Sequence, residues 1–237
     1  MAYILHIDTS ESICSVALSA NKKLIGIKES FTGHSHASML TVLIVQLFQE
    51  SHFEIKKLAA VSVSMGPGSY TGLRIGVSAA KGICYALNIP LIGINTLKAL
   101  ASGFIQSPVI KTLNIDSLEN TIICPMIDAR RMEVFMGLYN TDGDAISETK
   151  AEIIHSGLFN DLLKSNKIIF IGSGAIKCKN IISDSNAFFP CNFSPRADYL
   201  ISDAYKAFKK NHFVDSAYFE PYYLKDFVAT IPKNKIF

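Results

Sequence analysis

No two cysteines of this chain stand in C-x-x-C spacing. The five, Cys14, Cys84, Cys124, Cys178 and Cys191, are scattered and odd in number. That pattern excludes a disulfide framework or a zinc site and fits reduced thiols used as small apolar residues. No apolar run reaches the length of a spanning helix, and the first residues enter a strand with neither a basic region nor a cleavage site. A soluble, cytoplasmic protein with no membrane partner is the expectation. No block of Lys or Arg exceeds a pair, and the net charge is only +3, so strong autonomous nucleic-acid binding is not indicated. Disorder is excluded too, because 49% of the 237 residues are apolar and can bury a proper core.

What is present is concentrated in one stretch, Gly66-Pro67-Gly68-Ser69-Tyr70-Thr71-Gly72-Leu73-Arg74-Ile75-Gly76, between a strand-like run and a helix-like run. Glycines and a proline here describe a turn of defined shape that opens a helix, a place suited to an anion or to close packing. Two phosphate loops fail against it. A P-loop needs Gly-Lys-Ser/Thr where Gly72-Leu73-Arg74 stands, and a dinucleotide fingerprint needs an earlier third glycine and a downstream acid. Gly72, Gly76 and Ala80 fall four apart on one ridge, and each glycine costs about 1 kcal/mol in a helix, so the ridge needs a packing reason. Close packing on the chain's own sheet and contact with another subunit both remain open.

Along the chain, residues 3–8, 14–19 and 24–30 predict an antiparallel meander. Residues 37–51 predict a helix whose Met39, Leu40, Leu43, Ile44, Leu47 and Phe48 form one apolar face, widened by Val42 and Val45. The strand 58–65, the glycine turn, a helix to Leu87, the strand 89–94 and a helix from Asn95 follow. After a polar stretch, 106–121, the order restarts with strands over 122–128, 133–139 and 145–154. A helix over 156–165, a strand over 167–171, the turn Gly172-Ser173-Gly174 and a helix over 176–183 complete it. A helix with Pro195 at its first position is expected within 192–211. In each half the first strand ends on an aspartate, Asp8 or Asp128, and the strand after the first helix ends in a glycine turn. The expectation is therefore an α/β fold of duplicated β-β-β-α-β-α units in two lobes, 1–105 and 106–237, with acids and glycine turns lining a cleft.

The opening Ile4-Leu5-His6-Ile7-Asp8-Thr9-Ser10, the Gly66 to Gly76 stretch, Asp128-Ala129-Arg130-Arg131-Met132-Glu133-Val134-Phe135 and the tail Glu220-Pro221-Tyr222-Tyr223-Leu224-Lys225 together resemble the bacterial TsaB (YeaZ) family. The resemblance implies the actin/sugar-kinase/heat-shock-ATPase fold. It also implies a scaffold role in making N6-threonylcarbamoyladenosine next to the tRNA anticodon, through binding and activating the transferase TsaD. TsaE, an ATPase, and a second copy of the chain are the other implied partners, tRNA is reached through the complex, and ATP or ADP is the nucleotide such a complex would hold. No cofactor is assigned to this chain. The transferase's His-x-x-x-His metal pair falls on Thr96 and Leu100, which are poor ligands, so a non-catalytic subunit is expected.

The expected partner interface comprises His36, Met39, Leu40, Leu43, Leu47, Gly72, Arg74, Gly76 and Ala80. The nucleotide-facing cleft would be lined by Asp8, Thr9, Ser10, Asp128, Gly172, Ser173 and Gly174. Glu11 in the first turn would repel an anion there. Asp128 is expected in an ion pair with Arg130 or Arg131, and His34 with His36 as a cap or surface pair rather than a metal site. An ATP-dependent phosphotransferase using Asp8 and Asp128, or a glycoprotease-like hydrolase, is the alternative.

Overall fold

The computed structural model describes residues 1–32, 36–113, 115, 117–190 and 193–225. Strands β1 (Tyr3–Asp8), β2 (Cys14–Ala20) and β3 (Lys23–Ser30) form the expected meander. Helix α1 (His36–Glu50), strand β4 (Ala60–Gly66), helix α2 (Tyr70–Leu87), strand β5 (Leu91–Asn95) and helix α3 (Thr96–Gln106) complete the first half. Its sheet runs β3-β2-β1-β4-β5, antiparallel through the meander and parallel from β1 to β5. The second half repeats this with β6 (Thr121–Asp128), β7 (Glu133–Met136), β8 (Lys150–Ile153), α4 (Asn160–Leu163), β9 (Lys167–Ile171), α5 (Ser173–Cys178) and β10 (Ala187–Phe188). Its sheet order, β10-β9-β6-β7-β8, read from the β8 edge, is the first order element for element, with the same parallel and antiparallel pairs. Helix α6 (Ile201–Lys209) follows a 3-10 turn over Ala197–Leu200.

Each half buries its own core. Leu40, Leu43, Ile44 and Leu47 of α1 and Val77, Ala80 and Cys84 of α2 cover one face of the first sheet. The second core gathers Met126, Val134, Phe159, Phe170 and Cys178. Helix α3 joins them. Its Ala99 packs with Ile92 and Ile94 of the first sheet, while Leu97, Leu100 and Phe104 pack with Ile123, Ile127, Ile169 and Ile171 of the second. A helix apolar nearly all round has no solvent face to lose, so α3 is built as a shared wall. The Asn95 side chain starts it by accepting from Leu97 N and Lys98 N, and also donates to Thr149 Oγ1 at 3.1 Å.

Four expectations shift. The glycines Gly172 and Gly174 start α5 rather than precede it, so that helix is earlier and shorter than expected. Strand β8 occupies only the end of 145–154, because Ala145 turns back to bridge Tyr139. Helix α4 likewise occupies only part of 156–165. Pro195 is not the first residue of a helix: Arg196 is extended and bound to Asp198 and Glu29, and Ala197 N donates to Ser15 Oγ on β2, so regular helix waits until Ile201.

Candidate functional site

The two strand-end turns meet, as the duplicated order requires. At the end of β1, Asp8 is buried, and its carboxylate accepts from Ser10 N at 3.0 Å, Ser10 Oγ at 2.8 Å and Ser64 Oγ of β4. Burial raises its pKa, and these donors oppose the rise. Both carboxylate oxygens are thus taken up by the chain's own hydroxyls and backbone. Thr9 donates from Oγ1 to Gly72 O at 2.7 Å, and Ser69 N donates to Ser10 O at 2.7 Å, so the glycine turn is laced to the β1 turn.

That lacing supplies the reason for the small-residue ridge. A Cβ on Gly72 would stand 2.1 Å from Thr9 O, and one on Gly76 would stand 2.3 Å from Thr9 Oγ1. Gly72, Gly76 and Ala80 are buried against the chain's own sheet, and of the two readings left open the internal one accounts for the glycines. His36, Leu40, Leu43 and Leu47 are also buried within the chain, and Met39 is half-buried. Among the nine residues expected at an interface, Arg74 is exposed, with Nη1 donating to Tyr70 OH at 2.7 Å. The outer surfaces of α1 and α2 instead carry Val42, Val45 and Tyr85, the last 89% exposed.

Across from Asp8, the β6 end is more open. Asp128 is half-exposed and pairs with Lys177 of α5 at 2.6 Å, which corrects the expected pair with Arg130 or Arg131. Arg130 contributes only its backbone N, donating to Asp128 Oδ1 at 2.7 Å. Gly172 takes φ 94°, and a Cβ there would stand 2.2 Å from Met126 O, so the turn fits only glycine. Ser173 Oγ accepts from Asp128 N at 3.0 Å and donates to Glu11 Oε1. Glu11 therefore ties the first half to the second. Burial pushes its carboxyl up to about 7, against the lowering effect of the Ser173 hydroxyl and helped by Asp8 and Asp128.

His36 opens α1 beside this cluster. Its Nε2 donates to Glu11 O at 2.6 Å, because a carbonyl can only accept, and Nδ1 is left without a partner. It is buried, so it is not half of a surface pair; His34 lies outside the described residues. Among the described residues no group of three His, Cys, Asp or Glu side chains could hold a metal ion. Thr96 and Leu100 are fully buried in the α3 wall, and Thr96 Oγ1 has no hydrogen-bond partner.

The tail closes the site from the other side. Tyr222 N donates to Met65 O at 2.7 Å, the Tyr70 and Tyr223 rings lie 4.7 Å apart, and Lys81 donates to Ala217 O and Phe219 O, both at 3.1 Å. Lys225 then reaches Glu133 in the second half. Sequence reasoning singled out Asp8, Glu11 and Ser173 but missed Ser64, Lys177 and Lys81. Ser64 is one of two serines alternating along β4 with the core residues Val61 and Val63, and that alternation was the available signal.

The family described as TsaD, tRNA N6-adenosine threonylcarbamoyltransferase, matches residues 11–233. The chain belongs to this family. The TsaD-family relatives include a protein named tRNA threonylcarbamoyladenosine biosynthesis protein TsaB from Escherichia coli (strain K12). It is 27% identical over 235 residues, covering 95% of this chain and 96% of that protein. A Bacillus subtilis (strain 168) protein of the same name is 28% identical over 186 residues, 76% of this chain and 75% of its own. A tRNA N6-adenosine threonylcarbamoyltransferase from Clostridium kluyveri is 30% identical over 146 residues, covering 60% of this chain but 42% of the transferase. In three dimensions the chain resembles the structure of YeaZ from Pseudomonas aeruginosa, with TM-score 0.77 and 23% identity over 94% of this chain and 100% of that one. The duplicated α/β fold is shared with that structure. No helix among the described residues is long and apolar enough to cross a membrane.

Proposed function

We propose that this chain is a partner subunit in the biosynthesis of N6-threonylcarbamoyladenosine on tRNA, which binds and activates a TsaD-type transferase and carries out no group transfer itself. The relatives named TsaB support the pathway. The observation that carries the non-catalytic part is the fate of Thr96 and Leu100. The resemblance places the transferase's metal pair on these two positions, and here they are buried packing residues of the wall between the halves. The cleft points the same way. Asp8 is saturated by Ser10 and Ser64, and Glu11 occupies the space facing Ser173, so a phosphate entering there would meet a carboxylate and a hydrogen bond to break.

Partner binding is assigned to the outer faces of α1 and α2, with Val42, Val45, Arg74 and Tyr85 as the contact residues and the buried stripe beneath as their support. Exposed aromatic and branched aliphatic side chains of this kind suit an interface. The test is light scattering of the chain alone and mixed with its own organism's transferase, followed by transfer activity on unmodified tRNA. The expected result is a complex that the transferase needs for activity. Tyr85→Ala should weaken it by about 2 kcal/mol, near thirtyfold in Kd, and Val45→Asp should abolish it without lowering Tm. ATP turnover by the isolated chain, lost in Asp8→Asn or Asp128→Asn, would overturn the proposal.

A further inference from the structure

Arg130 and Arg131 sit at the tip of the turn between β6 and β7, with φ 69° and 51°. Seven non-glycine residues of the described chain have positive φ: Asn21, Asn88, Asn120, Asn211, His52 and these two arginines. Asparagine and histidine are among the side chains that tolerate this region, whereas arginine has no such excuse. The antiparallel β6–β7 turn demands positive φ of the backbone, and the sequence meets that demand with two arginines where glycine or asparagine would fit better, so it is the choice of side chain that calls for a reason.

The charges around the turn define that demand. Both neighbouring carboxylates are claimed by lysines, Asp128 by Lys177 at 2.6 Å and Glu133 by Lys225. Lys177 also donates to Arg131 O at 2.8 Å and Glu133 O at 2.6 Å, so the turn is held rigid from beneath. Arg130 and Arg131 are exposed and enter no ion pair among the described residues. Two consecutive exposed arginines thus stand between two carboxylates whose charges are already paired.

We infer that the Arg130-Arg131 tip is a contact for an RNA phosphate backbone, and that through it this subunit touches the tRNA in the modifying complex. The inference rests on the proposed function, which brings a tRNA to the assembly. Planar guanidinium groups bind phosphate oxygens in bidentate fashion, and two neighbouring ones match successive phosphates of a strand. Such contacts position the nucleic acid without reading its sequence. Two contacts also suit a chain whose modest charge gives little binding on its own, because they add to those of a partner.

The test uses the chain in complex with its transferase and fluorescently labelled, unmodified tRNA, titrated over a series of salt concentrations. Two variants are compared with wild type, Arg130→Asn/Arg131→Asn and Arg130→Lys/Arg131→Lys. The asparagine variant suits the backbone better, so it should melt higher than wild type and still co-elute with the transferase. It should nevertheless bind tRNA more weakly, with the slope of log K against log salt smaller by about 2. The lysine variant should keep the wild-type slope. An asparagine variant with the wild-type slope overturns the inference and leaves the proposed function standing. Loss of the transferase from the asparagine variant, with tRNA binding by the transferase unchanged, overturns it in favour of an acidic protein surface. If wild type itself forms no complex, the proposed function fails and the inference falls with it.

Discussion

Glu11 and His6 pull stability in opposite directions as pH changes. His6 is fully buried between Ser62 and Ser19, and burial lowers its pKa to about 3, so it stays neutral in the fold. Its stabilising contribution is complete above the unfolded value near 6.5 and is lost as pH falls toward 3. Glu11 is raised to about 7, so its contribution is complete below about 4.5 and is lost as pH rises through 7. Between about 4.5 and 6.5 the two slopes oppose each other, each by up to about 1.4 kcal/mol per pH unit. Glu11→Gln keeps an acceptor for Ser173 and removes one slope. Urea midpoints of this variant, relative to wild type, should climb with pH across that window. Parallel curves would show that Glu11 does not titrate there. A second residue-scale expectation concerns Gly76: Gly76→Val should lower stability by about 1–3 kcal/mol or more through overpacking against Thr9, read as a fall in Tm. Glu11 was legible in the sequence as a charge unwelcome to anions. Its bond to Ser173, distant in sequence, was not, because only the packed sheets bring those turns together.

Among the elements, α3 carries the most consequence. It is capped by Asn95, lined on both sides by core, and held at its middle by Ser102 Oγ donating to Asp203 Oδ2 at 2.7 Å. Asn95→Ala removes the cap and the bond to Thr149, and should cost about 1–2 kcal/mol, measured by urea unfolding. If the loss stays within experimental error, α3 does not depend on its cap. Strands and helices of the first half were legible because their apolar periods are clean and their turns are marked by glycine. The second half was harder. Its helices α4 and α5 are a single turn or little more, too short for a 3.6-residue period to show, and β10 has two residues. The glycine ridge of α2 was visible as a pattern, but its direction was not. A repeat of small residues states that something approaches closely without saying whether it is the chain itself.

At the scale of the molecule, the tail is the last element to matter. Phe219 lies against Gly93, Tyr222 N donates to Met65 O, and Lys225 pairs with Glu133 of the second half, so residues 214–225 clamp across both sheets. Phe219→Ala should release this clamp, seen as faster protease cleavage near residues 214–225 with the urea midpoint of the remaining core little changed. Full retention of protease resistance would mean that Lys81 and Tyr223 hold it alone. The clamp also touches a sheet edge. Val214 N donates to Leu91 O at 3.0 Å, forming an antiparallel bridge along β5, the outer parallel strand of the first sheet. On the ribosome Leu91 emerges about 120 residues before Val214, and at about 5–20 residues per second the edge stays bare for roughly 6–24 s. During that interval the nascent first half offers unpaired strand groups to any neighbouring chain. Completion of synthesis itself then supplies the residues that retire this aggregation hazard.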